Sequence, residues 1–317
     1  MVYLRSMAAT LIVALSVSFG LLGSSPLTQA QDEKPTGPVV AVTHLDKATC
    51  PADALKLLAA RRKFKAPAAT VTDLGYGYRL TSWPRLSNAD EQPDLPPAFV
   101  LLEKFDTCQL LVADASIKVS ALHLPLAHAP APQLLITSFS LGAHCCFSYY
   151  MVSLGQHFAA DVIDSADSPI SLVGLGDHDP PDITYYDMAF AYWHVSFAGS
   201  PAGQVRLTLD KDRYHLVDPK RRPAPSAAVI AAWQSEMTAA IKDSSQLDPV
   251  IWSHLLDLIY AGYPEMAVDL FNKAWPAEVR GKDAFWQDFV QQMRDSSVLW
   301  LPWDLAKVLK ADLPKTP

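Results

Sequence analysis

Two periodicities divide the chain. Between about residues 71 and 217, short apolar and β-branched runs alternate with clusters of turn-forming residues. That rhythm predicts strands joined by tight connections. The runs fall at 99–104, 109–113, 117–122, 134–139, 145–154, 158–163, 170–173, 183–186, 189–195, 205–209 and 214–217. Between them lie turn segments such as Asp114-Ala115-Ser116, Ala129-Pro130-Ala131-Pro132 and Asp210-Lys211-Asp212. No helical run separates these strands, so the expected arrangement is an antiparallel meander.

The period then becomes helical. Asp218-Pro219-Lys220-Arg221-Arg222-Pro223-Ala224-Pro225 continues neither a strand nor a helix. Beyond it Val229, Trp233, Met237 and Ile241 step by four and form one apolar stripe. Asp248-Pro249 predicts a capped helix carrying Leu255, Leu258 and Ile259 to a stop at Gly262. Pro264-Glu265 opens another with Met266, Leu270 and Phe271 inward, and Asp283 is expected to cap a third carrying Phe285, Phe289 and Met293. A last short helix is expected over 302–310. Upstream, 51–62 reads as a helix with Ala54, Leu55, Leu57, Leu58 and Ala59 on one face. The fold class is α+β: an antiparallel β-meander domain, propeller-like or sandwich-like, followed by a C-terminal helical domain. The expected limits are 39–217 for the β-rich part, 218–225 for a Pro/basic linker and 226–317 for the helical part.

The N-terminus changes the compartment. Arg5, an apolar run over 8–22 and the small residues Thr28-Gln29-Ala30 are ordered as a secretory signal peptide. Residues 1–30 are read as that signal and 31–38 as a mobile leader. No later segment is long and apolar enough to span a membrane. The reading is a periplasmic or secreted bacterial protein, with no transmembrane segment after cleavage. The net charge of −7 argues against nucleic acid as a partner, because phosphate binding needs a dense basic surface.

An oxidising compartment makes the four cysteines candidate disulfide residues. Cys50, Cys108, Cys145 and Cys146 allow three pairings: 50–108 with 145–146, 50–145 with 108–146, or 50–146 with 108–145. A bridge from Cys50 or Cys108 to the strand holding Cys145 and Cys146 is the favoured expectation. His144 sits against that thiol pair, and imidazole with thiolate suits copper or zinc. His144, Cys145 and Cys146 are therefore candidate metal ligands, although paired Cys-x-x-Cys spacing is absent. Gly174-Leu175-Gly176-Asp177-His178-Asp179-Pro180-Pro181-Asp182-Ile183 is a second candidate. Its carboxylates Asp177, Asp179 and Asp182 offer the hard oxygens that calcium takes. Asp164, Asp167, Asp179, Asp182 and Asp187 are also weighed as a paired-carboxylate site.

That acidic segment, between an apolar strand and Asp182-Ile183, resembles one blade edge of integrin-type propeller repeats, the FG-GAP or VCBS class. The resemblance implies a calcium loop with alternating ligand positions at Gly174, Gly176 and His178 and a closing acid at Asp182. The wider order is Gly142-Ala143-His144-Cys145-Cys146-Phe147, the acidic turn, Tyr185-Tyr186-Asp187, Phe190-Ala191-Tyr192-Trp193 and the Ser200-Pro201 break. It is similar to a family of exported bacterial proteins with a Gly-Ala-His-Cys-Cys core and a helical tail, over about residues 134–302. That family brings no established activity. Gly262, Ala267, Phe271 and Ala274 also match the spacing of a single tetratricopeptide-type unit, where small residues let two helices approach closely.

Motifs for catalysis are missing. Ser138-Phe139-Ser140-Leu141-Gly142 lacks the first glycine of a hydrolase elbow, and no Gly-rich phosphate loop is present. The expected function is a non-enzymatic envelope module binding a protein or an envelope component. The alternative is a copper or zinc site, or thiol chemistry, at the His-Cys-Cys stretch.

Overall fold

The computed structural model describes residues 40–63, 67–86, 97–122, 132–142, 145–174, 181–210, 213–217, 223–243 and 248–311. The expected signal and leader, and residues 218–222 of the expected linker, lie outside them. The architecture is α+β, with antiparallel sheets followed by helices.

One four-stranded sheet is the meander β2 (Thr70–Gly75), β3 (Tyr78–Trp83), β4 (Ala98–Lys104) and β5 (Thr107–Asp114). A second meander, β6 (Ser116–Leu122), β7 (Gln133–Gly142), β8 (Cys145–Ser153) and β9 (Ala159–Ala166), gains β1 (Thr43–Leu45) on its β9 edge. The third is β10 (Ser171–Val173), β11 (Asp182–Asp187), β12 (Gly203–Asp210) and β13 (Arg213–Leu216). Among the described residues no sheet closes on itself.

The sheets stack, and side-chain alternation decides what each face meets. Val100 and Leu102 of β4 pack with Leu134, Ile136 and Val152 of the second sheet. Phe99 and Leu101, one residue out of phase, pack instead with Leu58 of α1 (Ala52–Arg61). A strand covered on both faces needs a continuous apolar run, and Ala98-Phe99-Val100-Leu101-Leu102 supplies it. In β8, Val152 faces the first sheet, while Tyr149 and Met151 join the core of the third sheet and the helices.

Helices α2 (Ala227–Asp243), α3 (Val250–Tyr260), α4 (Pro264–Ala274), α5 (Lys282–Ser296) and α6 (Leu305–Ala311) follow. Their inner residues Met237, Trp252, Phe271 and Phe289 share one core with Ile183, Tyr185, Val205, Leu207 and Tyr214 of the third sheet. Strands and helices thus belong to one compact unit. Asp248 accepts the Val250 N–H at 2.9 Å, as its capping position predicts. Gly262 turns the α3–α4 hairpin at φ 91°, a left-handed conformation that favours glycine, and Ala267, Phe271 and Ala274 are buried.

Several expectations are corrected. Residues 189–195 form no strand. Phe190 and Trp193, three apart, both enter the helical core against Phe289 and Trp252. The chain around them coils, with Tyr192 and His194 at φ 62° and 59°. Strands β1, β2 and β3 lay before the first expected strand. Leu55 and Leu57 of α1 are exposed, and the buried face is instead Leu58 and Arg61. Asp283 sits inside the first turn of α5, behind an N-cap at Gly281.

Cys50 is bonded to Cys108, across 58 positions of sequence and a Cα separation of 6.5 Å. The expected bridge from one of them to Cys145 or Cys146 is therefore excluded. The reason is local: Thr49 runs beside β5, its N–H donating to Gln109 O at 2.7 Å while its carbonyl accepts from Leu111 at 3.0 Å. That brings Cys50 alongside Cys108 before the second sheet is reached.

Candidate functional site

Strand β11 carries the most unusual polar group of the third sheet. Its alternation buries Ile183, Tyr185 and Asp187 on one face and leaves Tyr186 exposed. Asp187 closes the strand opposite Gly203 of β12. Gly203 has no freedom to be anything larger, because a Cβ there would land on the ring of Tyr260. That close approach lets the last residue of α3 reach the sheet.

The Tyr260 hydroxyl donates to Asp187 Oδ2 at 2.5 Å and lies 2.9 Å from Ser297 Oγ. Ser297 Oγ and the Val298 N–H also donate to Oδ2, at 3.3 and 3.1 Å, and the Ala189 N–H donates to Oδ1 at 3.2 Å. One carboxylate thereby ties β11, α3 and the chain leaving α5. Burial holds its carboxyl above the ordinary range, against four donors that pull it down. Burial and that neighbouring carboxylate also hold the Tyr260 hydroxyl well above its usual range.

A cavity of about 310 Å³ opens beside this node. Asp164 of β9, Tyr185 and Asp187 of β11, Ala189, and Gln292 and Ser296 of α5 line it. Gln292 Nε2 donates to Ala189 O at 2.5 Å, which pins the coiled segment to α5. Asp164, exposed at the mouth, accepts from Ser148 Oγ at 2.5 Å. The Tyr185 hydroxyl is buried and has no hydrogen-bond partner among the described residues. Burial first, and then Asp187 and Asp164, push its pKa far upward, so it remains a neutral donor. A buried hydroxyl without a partner costs about 1–3 kcal/mol. The described lining contains no histidine, cysteine, lysine or arginine. It offers the exposed carboxylate of Asp164 as an acceptor for recognition.

A larger trough of about 590 Å³ lies around Trp275 and Arg280, between α4 and α5. Trp275 Nε1, on its lining, donates to Val279 O at 2.9 Å.

The candidate residues read from sequence are scattered by the fold. Of the five weighed acids, Asp164 and Asp187 meet at the cavity. Asp182 instead holds Arg206, at 2.6 Å from Nε and 2.5 Å from Nη2. Asp177 and Asp179 lie outside the described residues, as does His144. Cys145 opens β8 and pairs with Gly142 of β7, and Cys146 is exposed, its N–H donating to Ser140 Oγ at 3.2 Å. The pair thus starts a strand at a hairpin end, where Cys146 is exposed. Among the described residues, no three His, Cys, Asp or Glu side chains converge on one metal position. Tyr185, Tyr260, Ser297 and Gln292 were missed as site residues. Gly203 was the available signal, a glycine opposite the strand that ends in a buried acid.

No family model, no curated protein and no solved structure matches the chain.

Proposed function

We propose that this chain is an exported, non-enzymatic binding protein of the bacterial envelope. Its ligand site is the cavity between β9, β11 and α5. The observation that carries the reading is the cavity of about 310 Å³, with the exposed carboxylate of Asp164 at its mouth. That volume is at the lower end of small-molecule sites, and a few well-placed polar groups usually set their specificity. The ligand is a small polar molecule that donates to Asp164, such as an amino acid or a short sugar borne on an envelope component. Export is supported by Arg5, the apolar run over 8–22 and the small residues before position 31. Three consecutive four-strand meanders, stacked face to face, support blade-like units of the integrin-type propeller class.

The test is a thermal-shift and calorimetric panel of amino acids and sugars on the purified protein. One compound class is expected to raise the melting temperature and be recovered unchanged. Asp164→Asn is expected to weaken its binding about tenfold, the cost of one hydrogen bond to a charged group. Chemical turnover of the ligand, or equal affinity in the Asn variant, would reject the reading.

A second reading places thiol chemistry at the hairpin end. The Cys50–Cys108 bond leaves Cys145 and Cys146 as the adjacent pair, and Cys146 is exposed. Thiol counting under denaturing conditions, with metal analysis, tests it. No titratable thiol and no metal would remove it.

A further inference from the structure

A second buried carboxylate lies on β9 of the second sheet. Asp161 of β9 stands directly across from His44 of β1. Its side chain is only 3% exposed, and its Oδ1 lies 2.7 Å from His44 Nδ1. The Arg213 guanidinium reaches Oδ1 at 3.0 Å, and the Tyr214 N–H donates to Oδ2 at 2.7 Å. Arg213 also pairs with Asp46. A carboxylate held by a guanidinium and a backbone N–H accepts and does not donate, so His44 Nδ1 carries the hydrogen. The Nε2 lone pair of the neutral ring is left for another partner.

Alternation on β13 buries Tyr214 and exposes His215. The His215 ring centre lies 5.3 Å from that of His44, the planes inclined at 55°. Two imidazoles bound tetrahedrally to one ion, with metal–nitrogen distances of about 2.0–2.1 Å, have ring centres about 5 Å apart. A histidine that donates its other N–H to a buried carboxylate is the usual outer support of a metal ligand. Charge favours a cation as well. Two carboxylates, Asp46 and Asp161, stand there against one guanidinium, Arg213.

We propose that His44 and His215 bind a divalent first-row metal ion of the zinc–copper class, with Asp161 as the positioning residue. This goes beyond the cavity ligand and uses none of its residues. Since no third side chain converges here among the described residues, water fills the remaining coordination positions. The site is therefore open and of modest affinity. Imidazole ligands and the ordering of first-row ions predict tighter binding of copper(II) than of zinc(II).

The experiment is calorimetric titration of metal-free full-length protein with zinc chloride and, separately, copper(II) chloride, with spin resonance on the copper form. One ion per chain is expected, bound more than tenfold more tightly for copper, with nitrogen coupling in the spectrum. His215→Ala is expected to weaken binding at least tenfold while leaving the melting temperature unchanged, because that ring is exposed. His44→Ala should match it, and Asp161→Asn should weaken binding about 10–100-fold. Absence of binding up to millimolar metal would overturn the proposal. So would binding that His215→Ala leaves intact, which would make His44 and Asp161 a clamp between strands and nothing more.

Discussion

Asp187 and Asp161 are both buried carboxylates, yet they do opposite things. Asp187 is surrounded by neutral donors: a tyrosine hydroxyl, a serine hydroxyl and two backbone N–H groups. Every one of them is internal, and three come from beyond the β region. Asp161 is held by a guanidinium, an imidazole and one backbone N–H, and the first two retain access to water. The first arrangement is a latch that locks helices to a sheet. The second uses a buried anion to aim a half-exposed imidazole outward. Burial of a charge alone thus says little about function. What matters is whether its partners end inside the protein or continue to solvent.

The sharpest break of this contrast is Asp187→Ala. It strands the Tyr260 hydroxyl and the N–H groups of Ala189 and Val298, and should cost about 3–5 kcal/mol in urea unfolding at neutral pH. A loss below about 1 kcal/mol would show that the latch is not one. Asp161→Ala should cost less, about 1–3 kcal/mol, because Arg213 and His44 turn to water and only the Tyr214 N–H is orphaned. Equal losses at the two sites would erase the distinction.

Acidity offers a third measurement. Burial raises both carboxyls above their unfolded values. The folded state then holds these protons more tightly than the unfolded chain. Their contribution is complete below about pH 4 and is lost as pH climbs through the folded pKa. Asp187→Asn should flatten that decline by up to about 1.4 kcal/mol per pH unit, read from unfolding free energies between pH 4 and 6. An unchanged slope would place the titration elsewhere. The smallest effect is expected at Tyr185→Phe, which removes a hydroxyl that has no described partner. Its stability should stay within about 1 kcal/mol of the parent or rise, whereas Tyr260→Phe should lose about 1–3 kcal/mol. A large loss at Tyr185 would mean that its hydroxyl is already satisfied.

Much of the fold was legible along the chain. The stripe Val229-Trp233-Met237-Ile241 reads as a helix and is one, exposed at Val229 and buried at Met237 and Ile241. Most strands from β4 onward announce themselves by apolar runs. Strand β2 does not, because it is an edge strand with nearly every side chain exposed. The run 189–195 misleads because its apolar content serves two anchors three residues apart, not a pleated face. Of the cavity, Asp164 and Asp187 were visible only as two acids among five. Tyr260 lies 73 positions from Asp187, and no local pattern links them. The Asp161–His44 pair joins residues 117 positions apart, and neither carries a motif.

By itself the sequence determined the α+β class, the order of meander and helices, and most turns, since each rests on a period of two or 3.6 read over a few residues. It narrowed the cysteines to three pairings and could go no further. Only the tertiary structure chose Cys50 with Cys108, set Cys146 at a surface hairpin, buried Asp187 under Tyr260 and laid His44 beside His215. Those choices depend on which sheet faces stack and which edges meet, and such long-range packing leaves no periodic trace in the residues that obey it.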